Sequence, residues 1–206
     1  MKQKLLHPAS WFLIGLAIGI LTRLTDFLPP GIWGIQSVAT LFGFWIVSVV
    51  IIILLCPSAK KACLLVFLYL FGMTLSFYLS KYLLGLFLLR FSGPFSWNLF
   101  FFYSIFSIGC AGIGFGLWFW NQGGKLGSVL RGLPIGGLLA ETIGLGFYFG
   151  LHHTYLFQLL FDFVFVLLFG IAFFRKSQSK VLYLLTVFLL ASIGYFFFYA
   201  PFLLIP

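Results

Sequence analysis

The chain has 206 residues, of which 63% are hydrophobic and only 7% are charged. Soluble domains carry about a quarter charged residues, so this composition excludes a water-soluble globular domain. Twelve Lys and Arg residues outnumber three Asp and Glu residues, which gives a net charge of +9; a position beside anionic lipid explains that excess without a nucleic-acid partner.

Long apolar runs separated by short polar segments predict a helical membrane protein. A transmembrane helix needs roughly 20 apolar residues to cross a hydrocarbon core of about 30 Å. We therefore predict an all-α, polytopic helical bundle that forms one transmembrane domain over 1–206 in the lipid bilayer. Its seven predicted spans are 11–29, 31–56, 62–82, 97–120, 128–150, 155–174 and 181–204.

Turn-forming residues separate these spans. Pro29-Pro30-Gly31 ends the first one, because proline lacks a backbone N–H and disfavours helix in the residue before it. The short connections leave no room for an extramembrane domain. The other breaks lie at Pro57-Ser58, Ser92-Gly93-Pro94, Asn121-Gln122-Gly123-Gly124, His152-His153-Thr154 and Arg175-Lys176-Ser177-Gln178.

The basic residues predict the orientation of the bundle, because loops rich in Lys and Arg stay on the cytoplasmic side. No small-x-small cleavage site follows Lys2 and Lys4, so we expect the first run to remain as a span rather than to be removed as a signal peptide. With a cytoplasmic N-terminus and seven spans, the C-terminus lies outside. Nine of the twelve bases then fall in inner segments: Lys2, Lys4, Lys60, Lys61, Lys125, Arg131, Arg175, Lys176 and Lys180.

Ionisable residues inside the predicted spans are the candidates for function. All three acids, Asp26, Glu141 and Asp162, lie within spans, as does Arg23, and Lys81 lies at the end of one. Each such group costs about 2.5–3.5 kcal/mol at the bilayer centre if it faces lipid. We therefore expect all five to face the bundle interior or the interface.

Depth and helical phase group these residues. At 1.5 Å per residue, the predicted spans place all five in the outer half of the membrane. Gly15, Gly19, Arg23 and Asp26 share one helix face, and the small-xxx-small pair predicts close approach of a neighbouring helix. We predict one polar, solute-binding site that opens outward. Its residues are Arg23, Asp26, Lys81, Glu141, Gln158 and Asp162.

Structural interpretations of the same residues stay open. Buried ion pairs hold helices in register in many proteins, and Arg23 with Asp26 has the i,i+3 spacing of a local pair. His152 and His153 are typical of a loop. The run of Gly109, Gly112, Gly114 and Gly116 indicates close helix packing or a flexible point. Cys56, Cys63 and Cys110 have no zinc-like spacing, so we expect free thiols, no metal and no cofactor.

Three functions fit this pattern. The first is a transporter or solute-binding protein for a small zwitterionic or cationic solute or for protons. The second is an accessory or scaffold subunit whose protein partner the sequence does not name. The third is an intramembrane enzyme that acts on a lipid or lipid-linked substrate through a carboxylate, with His152 or His153. The chain lacks His-Glu-x-x-His, Gly-x-Ser-x-Gly and phosphate-loop motifs, which favours the first function over catalysis.

Several short motifs are spread over the chain: Leu-Thr-Arg-Leu-Thr-Asp-Phe-Leu-Pro at 21–29, Trp33-Gly34, Phe44-Trp45, Ala140-Glu141-Thr142-Ile143-Gly144 and Phe161-Asp162-Phe163. Together they resemble a family of small, uncharacterised bacterial multi-spanning membrane proteins. The resemblance covers most of the chain and implies a multi-pass protein of the bacterial cell (plasma) membrane. It implies no activity, since that family has no assigned function.

Overall fold

The computed structural model describes residues 7–203, and within that range it is helical and has no strand. The predicted all-α class is therefore confirmed. Lys2, Lys4 and residue 204 of the last predicted span lie outside the described residues. The main helices are α1 (Pro8–Leu24), α2 (Phe42–Leu55), α3 (Ala59–Gly85), α4 (Trp97–Leu117), α5 (Gly124–His152), α6 (Leu156–Lys176) and α7 (Lys180–Gly194).

Six helical segments of the described chain are long and apolar enough to cross a membrane. They coincide with six of the seven predicted spans, and they fit a membrane protein. The number of spans and the direction in which they cross stay predictions. The six segments are Pro8–Phe27, Ala59–Gly85, Trp97–Gln122, Gly124–His152, Leu156–Lys176 and Lys180–Tyr199.

The remaining predicted span, 31–56, is not one continuous helix. A 3₁₀ helix covers Ile35–Thr40, Leu41 is extended with φ −95° and ψ 147°, and α2 begins only at Phe42. The 14 residues of α2 are about 21 Å long, which is less than the hydrocarbon thickness of about 30 Å. The prediction of an uninterrupted helix is wrong here, and α2 begins within the apolar stretch rather than at its edge.

The chain forms two units, and their boundary falls within α2. The first unit comprises residues 7–28 and 51–118, so it holds α1, α3 and α4. The second comprises residues 29–50 and 119–203, so it holds the start of α2 together with α5, α6 and α7.

Glycines bring α1 onto α3 in the first unit. A Cβ atom at Gly15 would lie 3.0 Å from the carbonyl carbon of Tyr69, and one at Gly19 would lie 3.0 Å from that of Met73. Both Cβ atoms would lie closer than 3.0 Å to the carbonyl oxygens of the same two residues, which real Cβ atoms essentially never do, so only glycine fits at both positions. The predicted small-xxx-small contact is confirmed.

The glycine run of α4 behaves differently. A Cβ atom at Gly114 would lie 3.2 Å from Val66 Cγ2 of α3, which is a close contact. At Gly109, Gly112 and Gly116 an added Cβ atom would meet nothing within 4 Å. Close packing is therefore confirmed at Gly114, does not apply at the other three positions, and the alternative of a flexible point stays a prediction there.

Hydrogen bonds join α5, α6 and α7 at one end of the second unit. Arg131 Nη1 donates to the Lys176 carbonyl oxygen at 2.7 Å, and the Ser179 N–H donates to Ser128 Oγ at 3.0 Å. Lys180 Nζ also donates to carbonyl oxygens at the end of α6. The last carbonyls of a helix lack partners within the helix, so the side chains of Arg131 and Lys180 cap α6. Arg131, one of the bases assigned to the inner segments, is a buried residue of α5, and its position on the inner side stays a prediction.

Candidate functional site

The first unit holds three of the six predicted site residues. Arg23 lies near the end of α1 with only 7% of its surface exposed, and it forms an ion pair with Asp26. Its guanidinium lies 4.3 Å from the centre of the Phe77 ring and 5.4 Å from that of Phe91. Cations are attracted to aromatic faces within about 6 Å. The local pairing of Arg23 with Asp26 is thus confirmed, and it gives this pair a structural role.

The third of these residues, Lys81, is half-buried near the end of α3. Within the described chain it makes neither a hydrogen bond nor an ion pair. The structure therefore joins Arg23 to Asp26 and does not join Lys81 to that pair.

Replacing Asp26 by Asn is expected to lower the free energy of unfolding by about 1–3 kcal/mol, because the Arg23 charge then loses its carboxylate. Asp26 keeps 22% of its side chain exposed, which places the effect toward the lower figure. The double change Arg23→Met/Asp26→Leu is expected to recover stability to within about 1 kcal/mol of wild type. Denaturation of the purified protein, followed by tryptophan fluorescence, measures both. Equal stability of Asp26→Asn and wild type would contradict this role for the pair.

The second unit brings together the other three predicted residues. Glu141 of α5 and Gln158 and Asp162 of α6 are each 0% exposed. Gln158 Nε2 donates a hydrogen bond of 2.8 Å to Asp162 Oδ1. The two residues are four positions apart, so they lie one above the other on the same helix face. Glu141 is close enough to Asp162 for the two carboxyl groups to interact electrostatically.

The N-terminus of α2 meets these carboxyl groups. A Cβ atom at Gly43 would lie 2.6 Å from Cγ and 2.8 Å from Oδ2 of Asp162, so the carboxyl group occupies the place of the missing side chain. The backbone N–H groups of Phe42 and Gly43 face the Glu141 carboxyl group. The first N–H groups of a helix have no partner within it and carry a partial positive charge. The interruption of the second predicted span thus aims this helix end at two acids.

Tyr199 completes the cluster from the end of the last helical segment. Its hydroxyl faces Glu141, and its ring packs on α5 so closely that a Cβ atom at Gly144 would lie 2.7 Å from Tyr199 Cβ. We name Glu141, Gln158, Asp162, Gly43 and Tyr199 the carboxyl cluster. The Tyr199 hydroxyl and the N–H groups at the start of α2 face Glu141 but do not reach hydrogen-bond geometry with it.

Acceptors without donors are concentrated in this cluster. Seven buried side-chain nitrogen and oxygen atoms of the described chain have no hydrogen-bond partner. Four of the seven are oxygens of the carboxyl cluster: Glu141 Oε1 and Oε2, Gln158 Oε1 and Asp162 Oδ2. Buried polar atoms are nearly always paired, so each exception in a native structure needs an explanation. Protonation of a carboxyl group would supply a donor to these acceptors, and a bound cation would be coordinated by several of them together.

The charges around Glu141 and Asp162 also indicate that the cluster holds a proton or a cation. Within the described part of the second unit, no Lys or Arg forms an ion pair with Glu141 or Asp162. The helix end of α2 supplies the equivalent of about half a positive charge, against two carboxyl groups. An uncompensated charge is very costly in an apolar interior, so the cluster must hold at least one proton or one bound cation.

Sequence reasoning missed two members of the cluster. Gly43 acts through the absence of a side chain, and Tyr199 acts through packing against α5. The sequence does indicate that the helix is interrupted before Gly43, because the polar residues Gln36, Ser37 and Thr40 precede it within the predicted span. The joining of all six predicted residues in one site stays a prediction.

Comparison of the chain with protein-family models, with curated proteins and with solved structures finds no match. The resemblance to a bacterial membrane-protein family therefore stays a prediction. In the described residues, Cys56, Cys63 and Cys110 are free, and no group of three or more His, Cys, Asp or Glu side chains is placed to hold a metal ion.

Proposed function

We propose that the protein is a small integral membrane transporter or solute-binding protein whose solute is a proton or a small cation, bound by Glu141 and Asp162 with Gln158. The observation that supports this most is the set of four buried, unpartnered oxygens in one place. The N-terminus of α2 points its partial positive charge at Glu141, which stabilises the ionised carboxylate that a cation would bind. The second unit offers acceptors at this point, which favours a cation or proton over a zwitterion.

The same proposal includes the orientation and location inferred from the bases. It comprises seven spans, with 31–56 as the interrupted second one, and an N-terminus in the cytoplasm of a bacterial cell. Glu141 lies eleven residues before His152 at the end of α5, a distance of about 16 Å. Gly124, at the other end of α5, lies seventeen residues or about 26 Å from Glu141. With α5 centred in the plasma membrane, the cluster then lies in the outer half.

Exchange of a proton for a cation is the chemistry that this cluster supports. When a cation binds to the carboxyl oxygens, a carboxylic acid loses its proton and the net charge of the cluster stays constant. Asp162 of α6, Tyr199 of the last helical segment and the N–H groups at the start of α2 face Glu141, and Gln158 faces Asp162. None of these groups is a cationic side chain, so the exchange involves the two acids alone.

The alternatives receive less support. An enzyme that pairs a carboxylate with His152 or His153 needs these groups together, but both histidines are exposed and lie about 16 Å along α5 from Glu141. A scaffold whose polar residues only fix the packing would pair its acceptors with donors. The carboxyl cluster leaves four acceptors unpaired.

Proton release on addition of a cation tests the proposed function. Purified protein in lipid nanodiscs is mixed in weak buffer with methylammonium, Na⁺ or K⁺, and a pH-sensitive dye reports the release. We expect about one proton per protein for at least one of these cations, and uptake of that cation into proteoliposomes. Empty nanodiscs and empty liposomes are the controls. Signals equal to those of the controls for the whole series would overturn the proposal.

A further inference from the structure

An apolar crevice lies beside the carboxyl cluster in the second unit. Its volume is about 210 Å³, and Tyr199 is its only polar side chain. Phe42 and Phe198 stand at its rim, with 46% and 58% of their surfaces exposed. The other residues that line it are Ile46, Gly137, Ala140, Leu190 and Gly194.

Tyr199 and Phe42 separate this crevice from Glu141. The side chains of both line the crevice, while the Tyr199 hydroxyl and the Phe42 N–H face the carboxyl group. Movement of one ring thus joins an apolar space to two acids. Glu141 and Asp162 lie fully buried behind this partition.

The backbone at Tyr199 is suited to such a movement. Residues Tyr195–Tyr199 form a π-helix, in which the Ala200 N–H donates to the Tyr195 carbonyl oxygen. Pro201 follows, and a proline clashes with the carbonyl four residues before it, which explains the wider turn. Single π turns within helices are rare and occur frequently at functional sites.

We propose that the crevice binds the apolar body of an amphiphilic, singly charged ammonium ion, whose charged group displaces Tyr199 and reaches Glu141 and Asp162. This rests on the proposed function, since it assigns the rest of the solute that the carboxyl cluster binds. An apolar cavity of about 150 Å³ holds a benzene ring, so 210 Å³ accommodates one ring or a short alkyl chain. Because Phe42 and Phe198 at the rim are partly exposed, such a molecule can enter the crevice from the protein surface.

The test compares 2-phenylethylammonium with methylammonium in the proton-release assay. Burial of a benzene ring is expected to make the larger amine bind about tenfold more tightly, or better. Ile46→Phe fills the crevice and is expected to remove that advantage while methylammonium still releases its proton. Leu189→Phe is the matched control, because it adds the same ring at a position that is 66% exposed and does not line the crevice.

A second variant enlarges the crevice. Phe198→Ala removes a rim side chain that is mostly exposed, so folding is preserved. It is expected to let 2-(1-naphthyl)ethylammonium bind about tenfold more tightly than it binds wild type.

The outcomes separate the two proposals. If wild type binds both amines equally, or if neither Ile46→Phe nor Phe198→Ala changes amine preference, the crevice is not part of the site and this inference is overturned while the proposed function stands. If Na⁺ or K⁺ releases a proton from wild type but no amine does, this inference alone is overturned. If no cation of the series and no amine releases a proton, the proposed function is overturned and the inference with it. An advantage for the larger amine that Ile46→Phe removes and Leu189→Phe keeps supports the inference.

Discussion

Glu141→Gln and Asp162→Asn are each expected to weaken cation binding by about a hundredfold or more, and the double variant is expected to abolish cation-driven proton release. Both acids are 0% exposed, and the loss of one charge from a buried electrostatic pair of cation and carboxylate costs several kcal/mol. Titration of the purified variants in nanodiscs with a pH-sensitive dye measures the effect.

These variants have a second expected property that a structural role would not give. Glu141 makes no hydrogen bond through either carboxyl oxygen, so an amide of the same size removes an unpaired acid without breaking a bond. The melting temperature of Glu141→Gln is therefore expected to equal or exceed that of wild type. Thr142→Val is the matched control, because the Thr142 hydroxyl bonds only to the Leu138 carbonyl of its own helix. Wild-type proton release in the double variant would rule out the carboxyl cluster as the site.

Gly15→Ala and Gly19→Ala are each expected to destabilise the protein by about 1–3 kcal/mol, and the double variant by more than either. The added methyl groups would overlap the backbone of α3 at Tyr69 and Met73, which does not yield as a side chain end does. Denaturation of purified variants, followed by tryptophan fluorescence, measures the loss.

Gly112→Ala is the matched control for these two changes. An added Cβ atom there meets nothing within 4 Å, and alanine is favoured over glycine in a helix interior by roughly 0.5–1 kcal/mol. It is therefore expected to leave stability unchanged or to raise it. Destabilisation by Gly112→Ala that equals that of Gly15→Ala would mean that the α1–α3 contact is not special.

Six of the seven predicted spans are long helices in the structure, because each is apolar over its whole length and ends at turn-forming residues. It failed at 31–56, where the break at Leu41 comes from backbone conformation and not from a polar or proline-rich boundary. An average over about 20 residues does not distinguish such an interrupted segment from a continuous helix. Gln36 and Ser37 are the residues that indicate the interruption, since polar residues are costly within a continuous span.

Part of the candidate site could be predicted from the sequence for a different reason. Gln158 and Asp162 have helical spacing, so their shared face followed from the sequence, and burial of Glu141 followed from its position within a span. The contributions of Gly43 and Tyr199 depend on packing between helices far apart in the chain. A charge count treats every base near a helix end alike, so it did not predict that the Arg131 guanidinium is buried and caps α6.

The capped end of α6 also sets how the last segment can move. Ser179 and Tyr183, at the base of α7, are held by hydrogen bonds of 3.0 Å to Ser128 and to the Gly170 carbonyl oxygen. Tyr199 lies 19 residues beyond Lys180, about 28 Å along the axis. Between these two points, Gly132 and Gly136 of α5 hold α7 in close contact, and Gly144 holds Tyr199 itself. Access to the acids therefore requires a local rotation of the Tyr199 side chain and not a swing of the whole helix.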